Sequence, residues 1–245
     1  TGEVEKVEEG VTRKEGTSRR EAYVITQRYV VSSTGVPYAR YDFNTDTKSI
    51  VVYGRPVGGS WTKLREFPVI FGARQIEFGG LASDTTAYVI DRAGEDRRAV
   101  WEYDLTTGKP LRKVFADPVG EVDDVIQNVY TGDIMGQMVM TAGKPKWVFT
   151  SRNFAAAQAA LEETFPEYPN ITIRGYSQDL ATYVILADGP SKPPVYFLFD
   201  GRNGVVSDML AVLNVDASGM GPVKTLTWAS SDGRTITGYL ALPAG

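Results

Sequence analysis

The chain has 245 residues, 42% of them hydrophobic and 23% charged, values typical of a globular protein that buries a sizeable core. Its formal net charge of −4 gives no reason to expect a nucleic-acid partner. Cysteine and histidine are both absent, which excludes disulfides, cysteine or histidine metal sites and a Ser-His-Asp triad built from this chain alone.

The N-terminal segment TGEVEKVEEG is charged from its first residues and has no apolar stretch of the kind a signal peptide needs. It also lacks an initiating Met, so we expect the chain to be a piece of a longer protein. No run approaches the about 18 apolar residues of a membrane span, so no membrane partner is predicted. A bacterial-type protein of the cytoplasm or the periplasm fits these features, and the compartment stays open.

Short runs rich in aromatic and β-branched residues, separated by Gly, Asp, Asn, Thr and Pro, make up most of the chain and predict strands. Three segments end in an aromatic residue, an aspartate and a turn: Tyr38 to Asp46, Val100 to Gly108 and Tyr196 to Gly204. We expect Asp42, Asp104 and Asp200 to open these hairpin turns by accepting backbone N–H bonds. The left-handed residue that closes each turn is predicted at Asp46, Gly108 and Gly204.

A four-stranded unit that recurs every about 40–60 residues is typical of a β-propeller. The predicted blades run roughly from Glu21 to Phe67, Pro68 to Ala116, Pro118 to Asn153, and around Asn170 to Leu213. The predicted fold is therefore all-β, a partial β-propeller of about three to four blades. An all-β sandwich with similar hairpins is the alternative.

One segment, Asn153 to Phe165, predicts a short helix, because it is rich in Ala, Leu, Gln and Glu with apolar residues at helical spacing. Ser151 or Asn153 can cap its start. Pro166 is expected to end it, because proline cannot continue a helix.

Two polar motifs resemble known functional sites. Gly175 to Asp179 is close to the Gly-x-Ser-x-Gly elbow of hydrolases, but its last position is Asp, and a turn between strands is the favoured interpretation. Asp42, Asn44 and Asp46 have the spacing of a calcium loop, but Thr47 and Tyr53 replace its Gly and Glu. A hairpin turn is again favoured, and neither a metal nor a cofactor is predicted.

The remaining polar motifs favour structural roles. Asp123-Asp124 predicts a solvated loop, and Arg97-Arg98 a hairpin tip that could also touch an acidic substrate terminus. The sequon at Asn170 falls in a predicted strand and is taken as incidental. The four tryptophans are expected to pack between blades, namely Trp61, Trp101, Trp147 and Trp228.

The chain ends in a predicted strand pair. Ser231 to Arg234 is a tight polar turn, Thr235 to Leu242 alternates like a strand, and Pro243-Ala244-Gly245 is expected to break it. This stretch, WASSDGRTITGYL, resembles the entry into the α/β-hydrolase domain of prolyl oligopeptidase-type serine peptidases, especially the acylaminoacyl and dipeptidyl peptidase branch. The hairpin YDLTTG at 103–108 is similar to hairpins in the propeller blades of the same family.

The resemblance implies that residues 1–221 are part of an N-terminal β-propeller and that residues 222–245 link it to a missing α/β-hydrolase domain. It further implies that the catalytic Ser, Asp and His lie after Gly245. The chain would then be a non-catalytic segment that caps the active site, admits peptides and excludes folded proteins. Its partner is a peptide substrate, reached through the missing catalytic domain, and self-association stays open.

Glu162 and Glu163 are the candidate substrate-binding residues. The resemblance implies this role, because dipeptidyl peptidases of the family use a glutamate pair on a helical segment to hold the substrate's amino terminus. Carboxylates bind an ammonium through charge-assisted hydrogen bonds. However, adjacent helical residues point about 100° apart, which favours a plain solvated helix face.

Two other functions stay open. The first is a free-standing TolB-like propeller module that acts as a binding scaffold, which should end after its last blade without the strand pair at Trp228 to Leu242. The second is a propeller enzyme with its own acidic site, such as a glycosidase, which needs paired carboxylates in a central channel. The C-terminal strand pair favours the peptidase.

Overall fold

The structure is a computed structural model that describes residues 12–15, 22–70, 76–141, 144–213 and 217–243. The described residues form eighteen strands and one α-helix, in five antiparallel sheets whose strands follow one another in chain order. The chain divides into two compact units, Thr1–Val148 and Phe149–Gly245. The charged N-terminal segment, Glu21, Ala244 and Gly245 lie outside the described residues.

The first unit contains three sheets. The first sheet has five strands: β1 (Thr12–Glu15), β2 (Ala22–Val31), β3 (Pro37–Asn44), β4 (Ser49–Gly54) and β5 (Thr62–Pro68). The second sheet has four: β6 (Glu77–Leu81), β7 (Thr86–Asp91), β8 (Ala99–Asp104) and β9 (Lys109–Phe115). The third has three: β10 (Glu121–Gln127), β11 (Ile134–Thr141) and β12 (Lys144–Phe149).

Successive sheets of the first unit pack against each other through alternate residues of their strands, since side chains along a strand point to opposite faces. Ala39 and Val52 of the first sheet share one fully buried cluster with Ala87, Val89 and Tyr103 of the second. A second cluster joins the second sheet to the third, through Ile90, Val100 and Val122. Stacked sheets of this kind are the arrangement of propeller blades.

A buried carboxylate also ties the first two sheets together. The side chain of Asp91 is 2% exposed, and its Oδ2 accepts hydrogen bonds from the Tyr103 hydroxyl and from Arg65 Nη2, each at 2.5 Å. Arg65 belongs to the last strand of the first sheet, whereas Asp91 and Tyr103 belong to the second. Burial and the bond to Asp91 raise the pKa of Tyr103 well above its usual range. The phenol therefore stays a neutral donor.

The hairpin turns at Asp104 and Asp200 form as expected. Asp104 Oδ1 accepts the backbone N–H of Thr106 at 2.7 Å, and Asp200 Oδ1 accepts that of Arg202 at 2.9 Å. The closing residues, Gly108 and Gly204, have φ of 72° and 64°. Both hairpins join the last two strands of a four-stranded sheet.

The prediction for the first hairpin was wrong by two residues. Asp42 lies inside β3 opposite Val51, and Asn44 opens the turn by accepting the backbone N–H of Asp46 at 2.9 Å. The left-handed residue is Lys48, with φ of 53°, and not Asp46. Asn serves here because its side-chain oxygen accepts the same bonds as that of Asp.

The second unit opens with the helix and a four-stranded sheet. Helix α1 (Arg152–Thr164) begins at Ser151, whose hydroxyl accepts the backbone N–H of Phe154, and ends before Pro166. The sheet consists of β13 (Asn170–Tyr176), β14 (Thr182–Gly189), β15 (Lys192–Asp200) and β16 (Val205–Ala211). A 3₁₀ turn (Ala217–Gly219) then leads to the hairpin of β17 (Met220–Ala229) and β18 (Thr235–Pro243).

Helix α1 covers one face of the fourth sheet with aromatic contacts. The ring of Phe154 lies 5.3 Å from that of Tyr176, and the ring of Phe165 lies 4.8 Å from that of Phe197. Between them, the buried Gln158 donates from Nε2 to the Ile171 carbonyl oxygen at 2.8 Å. These contacts fix the helix on the sheet.

The last strands of the first three sheets are rich in basic residues and proline. Strand β5 carries Lys63, Arg65 and Pro68, β9 carries Lys109, Pro110, Arg112 and Lys113, and β12 carries Lys144, Pro145 and Lys146. Strand β16, which is the last strand of the fourth sheet, has none of these residue types.

The predicted all-β fold is confirmed. The four larger sheets correspond closely to the four predicted blades, and the single described helix lies within one residue of its predicted bounds. The predicted division at residue 221 stays a prediction.

Candidate functional site

A groove of about 440 Å³ runs beside helix α1 in the second unit. One wall is the small-residue side of the helix, and the rings of Tyr183 and Phe199, stacked with their centroids 6.4 Å apart, also line the groove. The helix residues that line it are Asn153, Ala156, Ala157 and Ala160. The alanines and the two rings give these parts of the groove an apolar lining.

The turn between β13 and β14 forms one end of the groove and is tightly bonded. The Ser177 hydroxyl accepts the backbone N–H of Thr182 at 2.9 Å and donates to Asp179 Oδ1 at 2.6 Å. Asp179 also accepts a bond from Arg202. The Ser177 hydroxyl, the Ala181 N–H and Arg202 together hold the pKa of Asp179 below its usual range. Ser177 is thus a turn residue, as the sequence favoured.

Glu162 and Glu163 both lie exposed on the last turn of α1. Glu162 Oε1 accepts a hydrogen bond from Gln158 Nε2 at 2.8 Å, which holds it toward the sheet side of the helix. Glu163 follows Ala160 by three positions, so it shares the side of the helix that lines the groove. The two carboxylates therefore stand on different sides of α1.

The Asp179–Arg202 ion pair was not foreseen from the sequence. Its members come from two different turns, after β13 and after β15, and 23 positions separate them. Only the pairing of β14 with its two neighbours brings these turns together. The sequence of each turn is rich in turn-forming residues and predicts the turn itself. It does not predict that the two turns lie next to each other.

The interpretations of the charged pairs in the first unit need correction. Arg97 is exposed in the turn between β7 and β8, as predicted, whereas Arg98 is only 4% exposed, and its Nη1 lies 3.1 Å from Asp123 Oδ1. Asp123 and Asp124 are not in a loop but in strand β10. A strand tolerates Asp123 here because Arg98 neutralises it across the two sheets.

The calcium-like triplet is divided by the first hairpin. Asp42 is buried, accepts a bond from the Thr26 hydroxyl at 2.8 Å, and pairs with Arg40 at 3.2 Å. Asn44 uses its side-chain oxygen in the turn. Within the described ranges, no group of three or more His, Cys, Asp or Glu residues is placed to hold a metal ion.

The C-terminal hairpin exposes an apolar face. In the register of β17 with β18, Trp228 stands opposite Ile236 and Leu226 opposite Gly238. Trp228 is 51% exposed, so it does not pack between blades as predicted, and its ring occupies the place that a Cβ of Gly238 would need. The predicted turn forms, with Gly233 at φ 81°. Strand β18 is described up to Pro243, and the other two residues of the predicted break, Ala244 and Gly245, lie outside the described residues.

In the described parts of the chain, no helix has the length and apolar character needed to cross a membrane. No family model matches the chain.

A curated relative aligns with most of the chain. Over 194 residues, the chain is 23% identical to dipeptidyl aminopeptidase BIII from Pseudoxanthomonas mexicana. The alignment covers 78% of this chain but 27% of that protein. The chain thus spans about a quarter of the relative's length.

Solved structures share the fold. Prolyl oligopeptidase B from Galerina marginata, bound to a 25mer macrocyclization substrate, matches 93% of this chain and 36% of its own, with a TM-score of 0.51 and 11% identity. The same enzyme with a 35mer substrate matches 88% of this chain and 30% of its own, with a TM-score of 0.51 and 14% identity. The resemblance found at the C-terminal hairpin is confirmed, and it extends over the propeller-like sheets.

Proposed function

We propose that this chain, which resembles the N-terminal propeller portion of prolyl oligopeptidase-type serine peptidases, is the non-catalytic segment of such a peptidase. The observation that carries the proposal is the 194-residue alignment, which falls on 27% of a dipeptidyl aminopeptidase. A chain without histidine cannot supply the triad itself. The catalytic Ser, Asp and His would therefore come from sequence beyond this chain.

The proposed role is to gate access to the catalytic site. Sheets that share buried clusters, such as the one at Val52 and Val89, form a stiff frame, because close-packed interiors deform little. A stiff frame can exclude folded proteins by size and admit peptides. This role would belong to residues 1–221.

The C-terminal hairpin is proposed to be the start of the catalytic domain. Its face carries Leu226, Trp228 and Leu240, each more than a third exposed. Apolar patches on one side of a two-stranded hairpin need a further layer to cover them. We propose that the α/β-hydrolase domain supplies this layer, with residues 222–245 as the connection.

Glu163, with Glu162 beside it, is proposed to hold the amino terminus of a dipeptidyl substrate. Support comes from its place on the last turn of α1, three positions after Ala160, on the side of the helix that carries the groove-lining alanines; Glu163 itself is not a lining residue. In the longer parent protein, Glu163→Gln should raise the KM for peptides with a free amino terminus and leave acetylated peptides unaffected. Glu167→Gln, a change at another exposed glutamate past the helix, is the control.

The main experiment compares this chain with the parent protein extended beyond Gly245. Both are assayed on aminoacyl and acyl-peptide chromogenic substrates, and the parent treated with a serine-hydrolase inhibitor is the control. We expect turnover by the untreated parent alone. Turnover by the 245-residue chain would contradict the proposal. A reading frame that stops soon after Gly245 would instead favour a TolB-like binding module.

Tryptophan fluorescence tests whether a further domain covers the apolar face of the C-terminal hairpin. The fluorescence contributed by Trp228 is obtained as the difference between the protein and its Trp228→Phe variant. We expect long-wavelength emission in this chain and shorter-wavelength emission in the extended parent, since burial removes water from the indole. The difference spectrum of Trp101→Phe, at a half-buried position beside the core of the first unit, should be alike in both.

A further inference from the structure

We propose that the Asn203-Gly204 pair is a site of spontaneous covalent modification. The backbone nitrogen of Gly204 displaces the side-chain amide of Asn203 as ammonia, and hydrolysis then leaves an aspartyl or isoaspartyl residue at position 203. The pair lies in the turn between β15 and β16. The proposal concerns this chain by itself and does not depend on the peptidase assignment.

The sequence places a glycine after one asparagine alone. Asn203 precedes Gly204, whereas the other five asparagines precede Thr, Val, Phe or Ile. A side chain on the following residue crowds its backbone nitrogen and restricts the conformations from which this nitrogen can attack. Glycine has no side chain and the widest range of backbone conformations. The local sequence therefore favours the reaction at Asn203.

The attacking nitrogen is free in the folded chain. The backbone N–H of Gly204 makes no hydrogen bond with any residue that the structure describes. Both residues of the pair are exposed, and a Cβ at Gly204 would meet nothing within 4 Å beyond its chain neighbours, so water and hydroxide reach this nitrogen. The Asn203 side chain is held at the surface by a hydrogen bond from its Nδ2 to Asp200 Oδ2 at 2.9 Å. Breaking one such exposed bond lets the side chain turn toward Gly204.

The Asp-Gly pairs of the chain lack this freedom. They can form the same cyclic imide, and they stand at 188–189, 200–201 and 232–233. The N–H of Gly201 donates to the Ala181 carbonyl oxygen at 2.8 Å, and that of Gly233 donates to the Ser230 carbonyl oxygen at 3.0 Å. Gly189 belongs to strand β14. A bonded N–H must be released before its nitrogen can attack, so the fold singles out Asn203-Gly204.

The reaction needs water and no other reactant. The Gly204 nitrogen gives up its proton to hydroxide and bonds to Cγ of Asn203, and the Cγ–Nδ2 bond breaks as ammonia leaves with a proton from water. Water then opens the cyclic imide. Attack of water at Cγ gives aspartate, and attack at the main-chain carbonyl carbon gives isoaspartate, in which the backbone runs through the former side chain.

The products change the charge of a turn that borders the groove beside α1. Asn203 now donates to Asp200, whereas a carboxylate at position 203 would face the Asp200 carboxylate, and like charges repel. The neighbouring Arg202 lines the groove and bonds to Asp179. A new carboxylate next to Arg202 competes with Asp179 for the same guanidinium. We therefore expect the modification to loosen this turn.

Peptide mapping by mass spectrometry tests the reaction on the 245-residue chain at mildly alkaline pH. The Asp232→Asn variant is the matched control, because it adds a second Asn-Gly pair in a turn whose glycine N–H is bonded. In this folded variant, we expect deamidation at position 203 to be roughly two- to tenfold faster than at position 232, since only the latter must first release a hydrogen bond. In guanidinium chloride the difference should disappear. Deamidation at position 203 that is no faster in the folded variant, or a difference that persists after unfolding, would overturn the proposal.

The effect on the turn is measured by amide hydrogen exchange in β15 and β16. Asn203→Asp represents the aspartyl product, and Asn203→Ala is its control, because it removes the bond to Asp200 without adding a charge. We expect exchange to be roughly two- to fivefold faster in Asn203→Asp than in Asn203→Ala, the size of a charge interaction at the surface. Equal exchange in the two variants would show that the new charge does not loosen the turn.

Discussion

Removal of the Tyr103 hydroxyl tests the buried link between the first two sheets. In Tyr103→Phe, the Asp91 carboxylate loses one of its two donors on Oδ2 but keeps Arg65 at 2.5 Å. A hydrogen bond to a charged group contributes about 1.5–3 kcal/mol. The larger cost of about 3–5 kcal/mol, for leaving a buried charge unpaired, does not apply because Arg65 remains. No cavity of the size of a methyl group is created, so we expect a loss of about 2 kcal/mol.

The matched control is Tyr88→Phe in the same sheet. Tyr88 is half-buried on β7, and its hydroxyl has no partner among the described residues, so its removal should cost less than about 0.5 kcal/mol. Since the chain has two compact units, global unfolding need not be two-state. Amide hydrogen exchange within β7 and β8 therefore gives the relevant free energy of opening. Equal protection in Tyr103→Phe and Tyr88→Phe would refute the reasoning.

Two further predictions concern the hairpin turns. Gly108 and Gly204 have similar positive φ, but a Cβ would meet the Lys63 carbonyl oxygen at 2.8 Å in the first and nothing within 4 Å in the second. Amide hydrogen exchange in the strands that flank each turn should show a loss of about 1–2 kcal/mol in the free energy of opening for Gly204→Ala and a clearly larger one for Gly108→Ala; equal losses would contradict this. Hydrogen bonds from the Thr106 hydroxyl and backbone N–H hold the pKa of Asp104 below its usual range. The ionised Asp104 therefore stabilises the fold fully above pH about 4, and this stabilisation disappears as the pH falls through the pKa of the folded state. Stability between pH 6 and pH 2 should fall less in Asp104→Asn than in the unaltered chain; parallel curves would count against this.

The sequence predicted the sheets well because each blade carries its own local signals. Alternating strands, a turn residue after each strand and the composition of α1 all act over a few positions, and they agree with one another. Ser151 and Pro166 bound the helix for the same local reason. The family resemblance of the short C-terminal motif predicted the propeller fold of the segment that precedes it.

The errors share one physical cause, which is contact between distant parts of the chain. The aromatic residue before Asp42 predicts a turn at that position, but Thr26 and Arg40 accommodate Asp42 within a strand. The sequence around Arg98 predicts a hairpin tip, but Asp123 makes the burial of Arg98 tolerable. The size and aromatic character of Trp228 predict a core position, but its side chain is exposed. In each case the tertiary structure decides whether the side chain finds a partner, and the local sequence does not contain this information.

The contrast among the last strands of the sheets bears on how the isolated chain behaves at high concentration. An exposed edge strand presents unpaired backbone N–H and C=O groups, to which a strand of another molecule can add. Lysine and proline in an edge strand disfavour this pairing. Strands β5, β9 and β12 carry such residues, whereas β16 and the following Val212 and Leu213 offer apolar side chains without them. We expect aggregation of the chain, where it occurs, to start at β16, and a single lysine introduced at Val205 to improve its colloidal stability.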